Sequence, residues 1–252
     1  MSKGVLTIFR KTENPKAEDA PGSRLARVLH APPVRRAPPP APVLIETRAP
    51  PANLPRAKLV FGFDATSSRQ DAWNTSTALT DAVLAALPGQ LDVALAVHGG
   101  NRVHTFTSFT SDAGKLRDIA AGVTCKAGET RLLDILARVL NTGGVGTVVY
   151  VGDMLEESHR QARNVAVALA ARGTRLIILH DTVAGDLSAA DIFAAMAHHT
   201  GGAVLPFDAS ALPKLREMLA AVAVLAVGGT DLLKAKQETM PAARLLLQHL
   251  KK

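Results

Sequence analysis

Apolar residues in this chain gather into short unbroken runs and into stripes at helical spacing, and the two patterns alternate. The run Leu59-Val60-Phe61-Gly62-Phe63 is bounded by turn residues and ends in a carboxylate, Asp64, as a strand buried on both faces would. Residues 70–87 carry Trp73, Ala78, Leu79, Ala82, Val83 and Ala86 at helical spacing and close on Pro88-Gly89. Residues 91–98 and 103–109 read as strands, and the turn between them, through Gly99 and Gly100, is short enough to make the pair antiparallel. Helices are expected over 111–121 and over 131–141, where Leu132, Leu133, Leu136, Val139 and Leu140 share a side. Residues 146–152 form a second fully apolar strand, again finishing in an acid, Asp153. Helix 155–172, strand 174–180, helix 186–199, strand 203–207 and helix 209–227 follow, the last stopped by Gly228-Gly229. Residues 231–252 read as one more helix, interrupted near Pro241.

Strands alternating with helices predict an α/β fold: a doubly wound, mostly parallel sheet of about six strands with one antiparallel edge strand. Residues 1–57 stand apart, because they lack periodicity and are rich in proline, including Pro38-Pro39-Pro40. Such a segment cannot bury enough apolar surface to offset its ordering entropy, so a disordered tail is expected. The organisation read from the sequence is thus a tail over 1–57, a domain over 58–229 and a helical extension over 230–252.

Charge follows the same division. The first 58 residues hold 11 basic and four acidic side chains, which accounts for the whole net charge of +7, and the remainder balances. The tail is therefore a basic tether with room for a second partner, whether acidic protein, nucleic acid or anionic lipid. No aromatic residue alternates with its basic ones, so base stacking is disfavoured. The single cysteine, Cys125, excludes an internal disulfide and a cysteine-rich zinc site. No stretch reads as long and apolar enough to span a bilayer, and the N-terminus lacks the layout of a signal peptide, so a cytoplasmic location is expected.

The candidate chemistry lies at the strand ends. Asp64, Thr66 and Ser68 place a carboxylate and two hydroxyls in one turn, a set of hard oxygen donors that suits Mg²⁺ or Mn²⁺, with Ca²⁺ behind them. Taken alone, the two hydroxyls would equally cap the helix that follows. In a doubly wound sheet, however, the strands ending in Asp64 and Asp153 are expected to be neighbours, about 4.8 Å apart, so the two carboxylates would repel unless a cation lay between them. Thr130, arriving from the loop Gly128-Glu129-Thr130, can add a further hydroxyl.

Asp64, Thr66, Ser68, Thr130 and Asp153, taken as a set and in this order, resemble the von Willebrand factor A-type family, whose metal-ion-dependent adhesion site combines Asp-x-Ser/Thr-x-Ser with a distant Thr and a distant Asp. The resemblance covers residues 58–229 and includes the turn and strand from Thr200-Gly201-Gly202 to Phe207; details around Asp64 and Asp153 are most similar to intracellular bacterial members. It implies a non-enzymatic interaction module, in which Thr66 and Ser68 bind the cation directly, Asp64 and Asp153 often act through water, and Thr130 joins in some states. A partner protein's Asp or Glu would complete the coordination. This chain departs from the family pattern at Ser67, where Gly is usual, and at Arg69, where Met is usual. Arg69 would sit beside the cation and could either weaken its binding or pair with the incoming acid; with Glu156 it is read as a partner-contacting position.

Other signals are weaker. Glu156 and Glu157 suit the first turn of helix 155–172, where the helix dipole favours acids. His98-Gly99-Gly100 is similar to an oxyanion-loop motif, but no Gly-x-Ser-x-Gly supplies a nucleophile, so it reads as a glycine turn. A phosphoryl-transfer enzyme would also use acids and Mg²⁺ at strand tips, yet a second Asp is wanted where Thr66 stands, and no P-loop is present. An adaptor acting through the basic tail is the other alternative. The leucines of the final helix suit packing on the domain, a partner or a membrane surface.

Overall fold

The structure is a computed structural model, and it describes residues 56–67, 89–181 and 188–250. The expected tail, the helix over 70–87, and Ser68 and Arg69 lie outside the described residues. Six strands form one sheet: β1 (Ala57–Asp64), β2 (Leu91–Gly99), β3 (Arg102–Phe106), β4 (Val145–Gly152), β5 (Arg175–Asp181) and β6 (Ala203–Phe207). Their order is β3-β2-β1-β4-β5-β6, with every pairing parallel except β2 with β3, so the antiparallel edge strand falls where the short turn placed it. The winding runs outward from β1 to β3, then crosses back to β4 on the other side of β1. The switch point, where ligands bind in such sheets, therefore lies between the C-terminal ends of β1 and β4.

The unbroken apolar runs are explained by burial on both faces. On one side Phe61, Phe63, Leu95, Val149, Leu179 and Phe207 meet α1 (Ala113–Ala121), α5 (Leu212–Lys236) and α6 (Pro241–His249). On the other, Val60, Ala96, Val148, Tyr150 and Ile178 meet α2 (Leu132–Asn141), α3 (His159–Ala171) and α4 (Ala190–His199). Thr200 fastens β6 to its neighbour: its hydroxyl takes the Leu176 N–H at 3.1 Å, and a Cβ on Gly202 would stand 1.9 Å from the Leu176 carbonyl oxygen.

Several expectations from the pattern are corrected. Helix α3 starts at His159, not at residue 155, because the Ser158 side chain caps it and the preceding residues are drawn into a loop. Strand β3 ends at Phe106; the chain then leaves the ladder and returns through a bridge between Thr110 and Val93. The break expected at Gly228-Gly229 is present, Gly229 lying at a non-helical φ of 64°, and a second helical stretch of α5 follows it as far as Lys236. Residues 241–249 fold back as α6, opened by Pro241, and bury Ala243 and Leu246 in the core.

Helix α5 also overturns the expectation that no stretch is long and apolar enough to cross a bilayer, since it passes by length and composition. Its apolarity has a local use. Leu215, Leu219, Val222, Ala223 and Leu225 are buried against the sheet and α6, so the helix is apolar over much of its girth as a core helix must be.

Candidate metal centre

Register fixes the two acids. Phe63 pairs with Val151 across β1 and β4, so Asp64 is level with Gly152 and Asp153 lies one residue beyond, on the neighbouring strand tip. Asp64 is buried, and its Oδ1 accepts the Thr66 N–H at 2.9 Å, which folds the loop back over the strand end. Asp153 is half-buried, and its carbonyl oxygen lies 3.1 Å from His180 Nε2 on β5.

The segment carrying Thr130 is stitched to the same edge by backbone bonds. Ala65 N–H donates to the His98 carbonyl at 2.8 Å, and Lys126 N–H donates to the Ala65 carbonyl at 2.9 Å. This approach is possible because residue 99 is glycine: a Cβ there would stand 2.5 Å from the Ala65 carbonyl oxygen. Asn101, in the left-handed region at φ 64°, turns its Oδ1 to the Glu129 N–H at 2.7 Å. The Arg131 guanidinium closes the loop, donating to the Asn101 carbonyl at 3.0 Å and to Glu129 at 3.1 Å.

Thr130 is thereby buried, and it is held from the β4 side as well. Its N–H donates to Glu156 Oε2 at 2.7 Å, and its Oγ1 accepts the Glu156 N–H at 2.9 Å. Glu157 accepts the N–H groups of Leu132 at 2.9 Å and Leu133 at 2.7 Å. These are unsatisfied donors at the start of α2, whose own N-cap, Arg131, offers no side-chain bond. Burial pushes the Glu157 carboxyl above its ordinary value, and the two N–H groups counter that in part. Both glutamates therefore serve Thr130 and α2, and neither lies in the first turn of α3, which corrects the helix-start reading.

His98, read from the sequence only as part of a glycine turn, is a buried member of the site. It lies level with Asp64 across β1 and β2, fully buried, with Nδ1 facing the Arg131 N–H at 3.3 Å and Nε2 facing the Tyr150 hydroxyl at 2.9 Å. Because Nδ1 faces a donor, the ring is neutral and carries its proton on Nε2. Burial, with smaller effects from His104 and Arg131, pushes its pKa down to about 3. The 3.9 Å approach of His98 Nδ1 to Asp64 Oδ1 is therefore no ion pair, and the imidazole brings no positive charge to the acid.

Among the described residues no group of three or more His, Cys, Asp and Glu side chains is placed to hold a metal ion. The set at the switch point is of another kind: two carboxylates on adjacent strand tips, with the hydroxyls of Thr66 and Thr130 on the loops beside them. Oxygen donors with few charges fit a hard divalent cation that keeps part of its water shell.

No family model matches the chain, and no curated protein matches it. Solved structures do. A von Willebrand factor type A protein from Catenulispora acidiphila superposes with a TM-score of 0.55 at 15% identity, over 67% of this chain and 43% of that one. The SpRpn10 VWA domain gives 0.51 at 13% identity, over 64% and 94%. Proximal thread matrix protein 1 from the mussel byssus, in a structure with a zinc-occupied MIDAS motif, gives 0.54 at 16% identity, over 67% and 46%. The chain has the von Willebrand factor A-type fold. At these identities the VWA likeness concerns the fold alone.

The geometry of the switch point brings Asp64, Thr66, Thr130, Asp153 and Glu156 to one edge of the VWA sheet, while Ser68 and Arg69 lie outside the described residues. The sequence reading missed His98, Asn101, Tyr150 and Glu157 as parts of the support. One signal was available for His98, since it is the polar end of a strand run otherwise buried from Val93 to Val97.

Proposed function

We propose that this chain is a metal-dependent protein-recognition module. Asp64, Thr66, Ser68, Thr130 and Asp153 would hold Mg²⁺ or Mn²⁺, and a partner's Asp or Glu would complete the site. The observation that carries this reading is the placement of Asp64 and Asp153 on adjacent strand tips, with Thr130 pinned beside them from a third segment. VWA domains are generally interaction modules and not enzymes, and one structural neighbour has a zinc-occupied MIDAS motif.

The cation, when bound, supplies an electrophilic centre for a carboxylate ligand. The chain's own part is to hold its oxygens in place with little charge. The Thr66 N–H orients Asp64, the Glu156 and Glu157 bonds orient Thr130, and neutral His98 leaves the acids' charge undiminished. Arg69 and Glu156 are assigned to the partner's side of the site, and the basic segment 1–57 to a second, tethering contact in the cytoplasm.

Calorimetric titration of the full chain with Mg²⁺ and with Mn²⁺, beside the double variant Ser68→Ala with Asp153→Ala, tests this. Binding that the double variant abolishes, with acetate binding strengthened when the cation is present, is the expected result. If neither ion binds the wild-type chain, the proposal is overturned.

A further inference from the structure

Three segments carry the proposed ligand residues, and all three converge on one histidine, β1 on the backbone of His98 and the other two on its ring. Strand β1 reaches it through register and through the Ala65 N–H on the His98 carbonyl at 2.8 Å. The Thr130 segment reaches it through the Arg131 N–H on Nδ1 at 3.3 Å. Strand β4 reaches it through the Tyr150 hydroxyl at 2.9 Å from Nε2. Tyr150 lies three residues before Asp153, and Gly152 leaves it room: a Cβ there would stand 2.6 Å from the ring and 2.7 Å from the hydroxyl oxygen.

We infer that His98 and Tyr150 are positioning residues, which fix the Thr130 segment and the tip of β4 against Asp64. The inference rests on the metal-recognition reading for its consequence, and on the geometry alone for its mechanics. A fully buried polar pair is an expensive way to fill a core, since two apolar side chains of similar volume would pack there without desolvating polar atoms. What the polar pair adds is direction. The His98 ring stacks near Tyr150 at 5.9 Å between centroids with 18° between planes, and its two nitrogens point to partners on different segments. Of the bonds that seat Thr130, those from Glu156 come from the β4 loop, and the Arg131 N–H on His98 ties the same segment to β2. Remove the acceptor on His98, and the segment keeps its β4-side bonds, the Asn101 turn and the Lys126 bond to Ala65, but loses the tie at Arg131, the residue next to Thr130. Outer-shell partners of this kind typically alter metal affinity by about 10–100-fold when lost.

The test combines amide hydrogen exchange of the metal-free full chain with calorimetric Mn²⁺ titration, for wild type, His98→Leu, His98→Gln and Tyr150→Phe. His98→Leu is expected to speed exchange at the Arg131 and Glu156 amides while the β1 and β4 ladders keep their protection, and to weaken Mn²⁺ binding by about 10–100-fold. His98→Gln, whose side-chain oxygen can take the Arg131 N–H, should restore much of both. Tyr150→Phe removes one hydroxyl and should give a smaller change in the same direction, which keeps the test open should His98→Leu fail to fold.

Wild-type exchange at Arg131 and Glu156 in all variants, or a rise spread evenly over the sheet, would overturn the positioning role. Failure of the wild-type chain to bind Mn²⁺ would overturn the recognition reading instead. The exchange measurement would then decide the positioning role by itself.

Discussion

The switch point between β1 and β4 and the groove beside β6 are built on opposite plans. The groove encloses about 410 Å³ between β6, α5 and α6 over an apolar floor that includes Leu205, Leu215 and Met218. Its acid, Asp208, is turned to its own neighbour and accepts from Ser210 N–H at 2.9 Å and Ser210 Oγ at 2.6 Å. At the switch point, by contrast, polar side chains reach segments far away in sequence: Glu156 to Thr130, Glu157 to α2, and His98 to both Arg131 and Tyr150. Space alone marks a packing seam, whereas convergent polar groups from several segments mark a place organised for chemistry.

Substitutions should separate the two regions. The largest effect on stability is expected from Leu219→Ala or Leu246→Ala, fully buried on the α5 and α6 side, at about 2–5 kcal/mol by denaturant unfolding. Mn²⁺ affinity of the folded fraction should not change, and a change would break the contrast between the regions.

Acid should act next, and at the switch point. His98 titrates near 6.5 when unfolded and at about 3 when folded, so between those values the unfolded chain binds the proton that the folded chain refuses. The stability that this group contributes is full above pH 6.5 and is lost as pH falls toward 3. Melting temperature measured against pH should therefore fall less steeply over that window in His98→Gln than in wild type. Equal slopes would mean that His98 is not held neutral.

A smaller loss, about 1–3 kcal/mol, is expected from Glu157→Ala, which leaves the Leu132 and Leu133 N–H groups without their acceptor. Faster amide exchange confined to the first turn of α2 would sharpen the assignment of Glu157 as the cap of that helix.

Much of this was legible along the chain. The apolar runs ending in Asp64 and Asp153 are strands because they are buried on both faces, and the short turn at Gly99-Gly100 sets β3 antiparallel. The start of α3 was not legible, because Leu155 with two following glutamates has the look of a first helical turn. In the fold Leu155 enters the core beside α2 and α3 while both glutamates reach back to an earlier segment. The apolar length of α5 was missed as well, since its run is interrupted by the glycines at which it kinks.

The sequence by itself determined the alternation of strands and helices, the antiparallel edge, and the acids and hydroxyls available at the strand ends, because these follow from local periodicity and residue chemistry. Only the tertiary structure decided that His98 and Tyr150 share a hydrogen bond, that Glu157 caps a helix some 25 residues earlier in the chain, and that Thr130 is pinned from two sides. Those are contacts between segments distant in sequence. Their partners are chosen by strand register and by the space that Gly99 and Gly152 leave open, which no local pattern encodes.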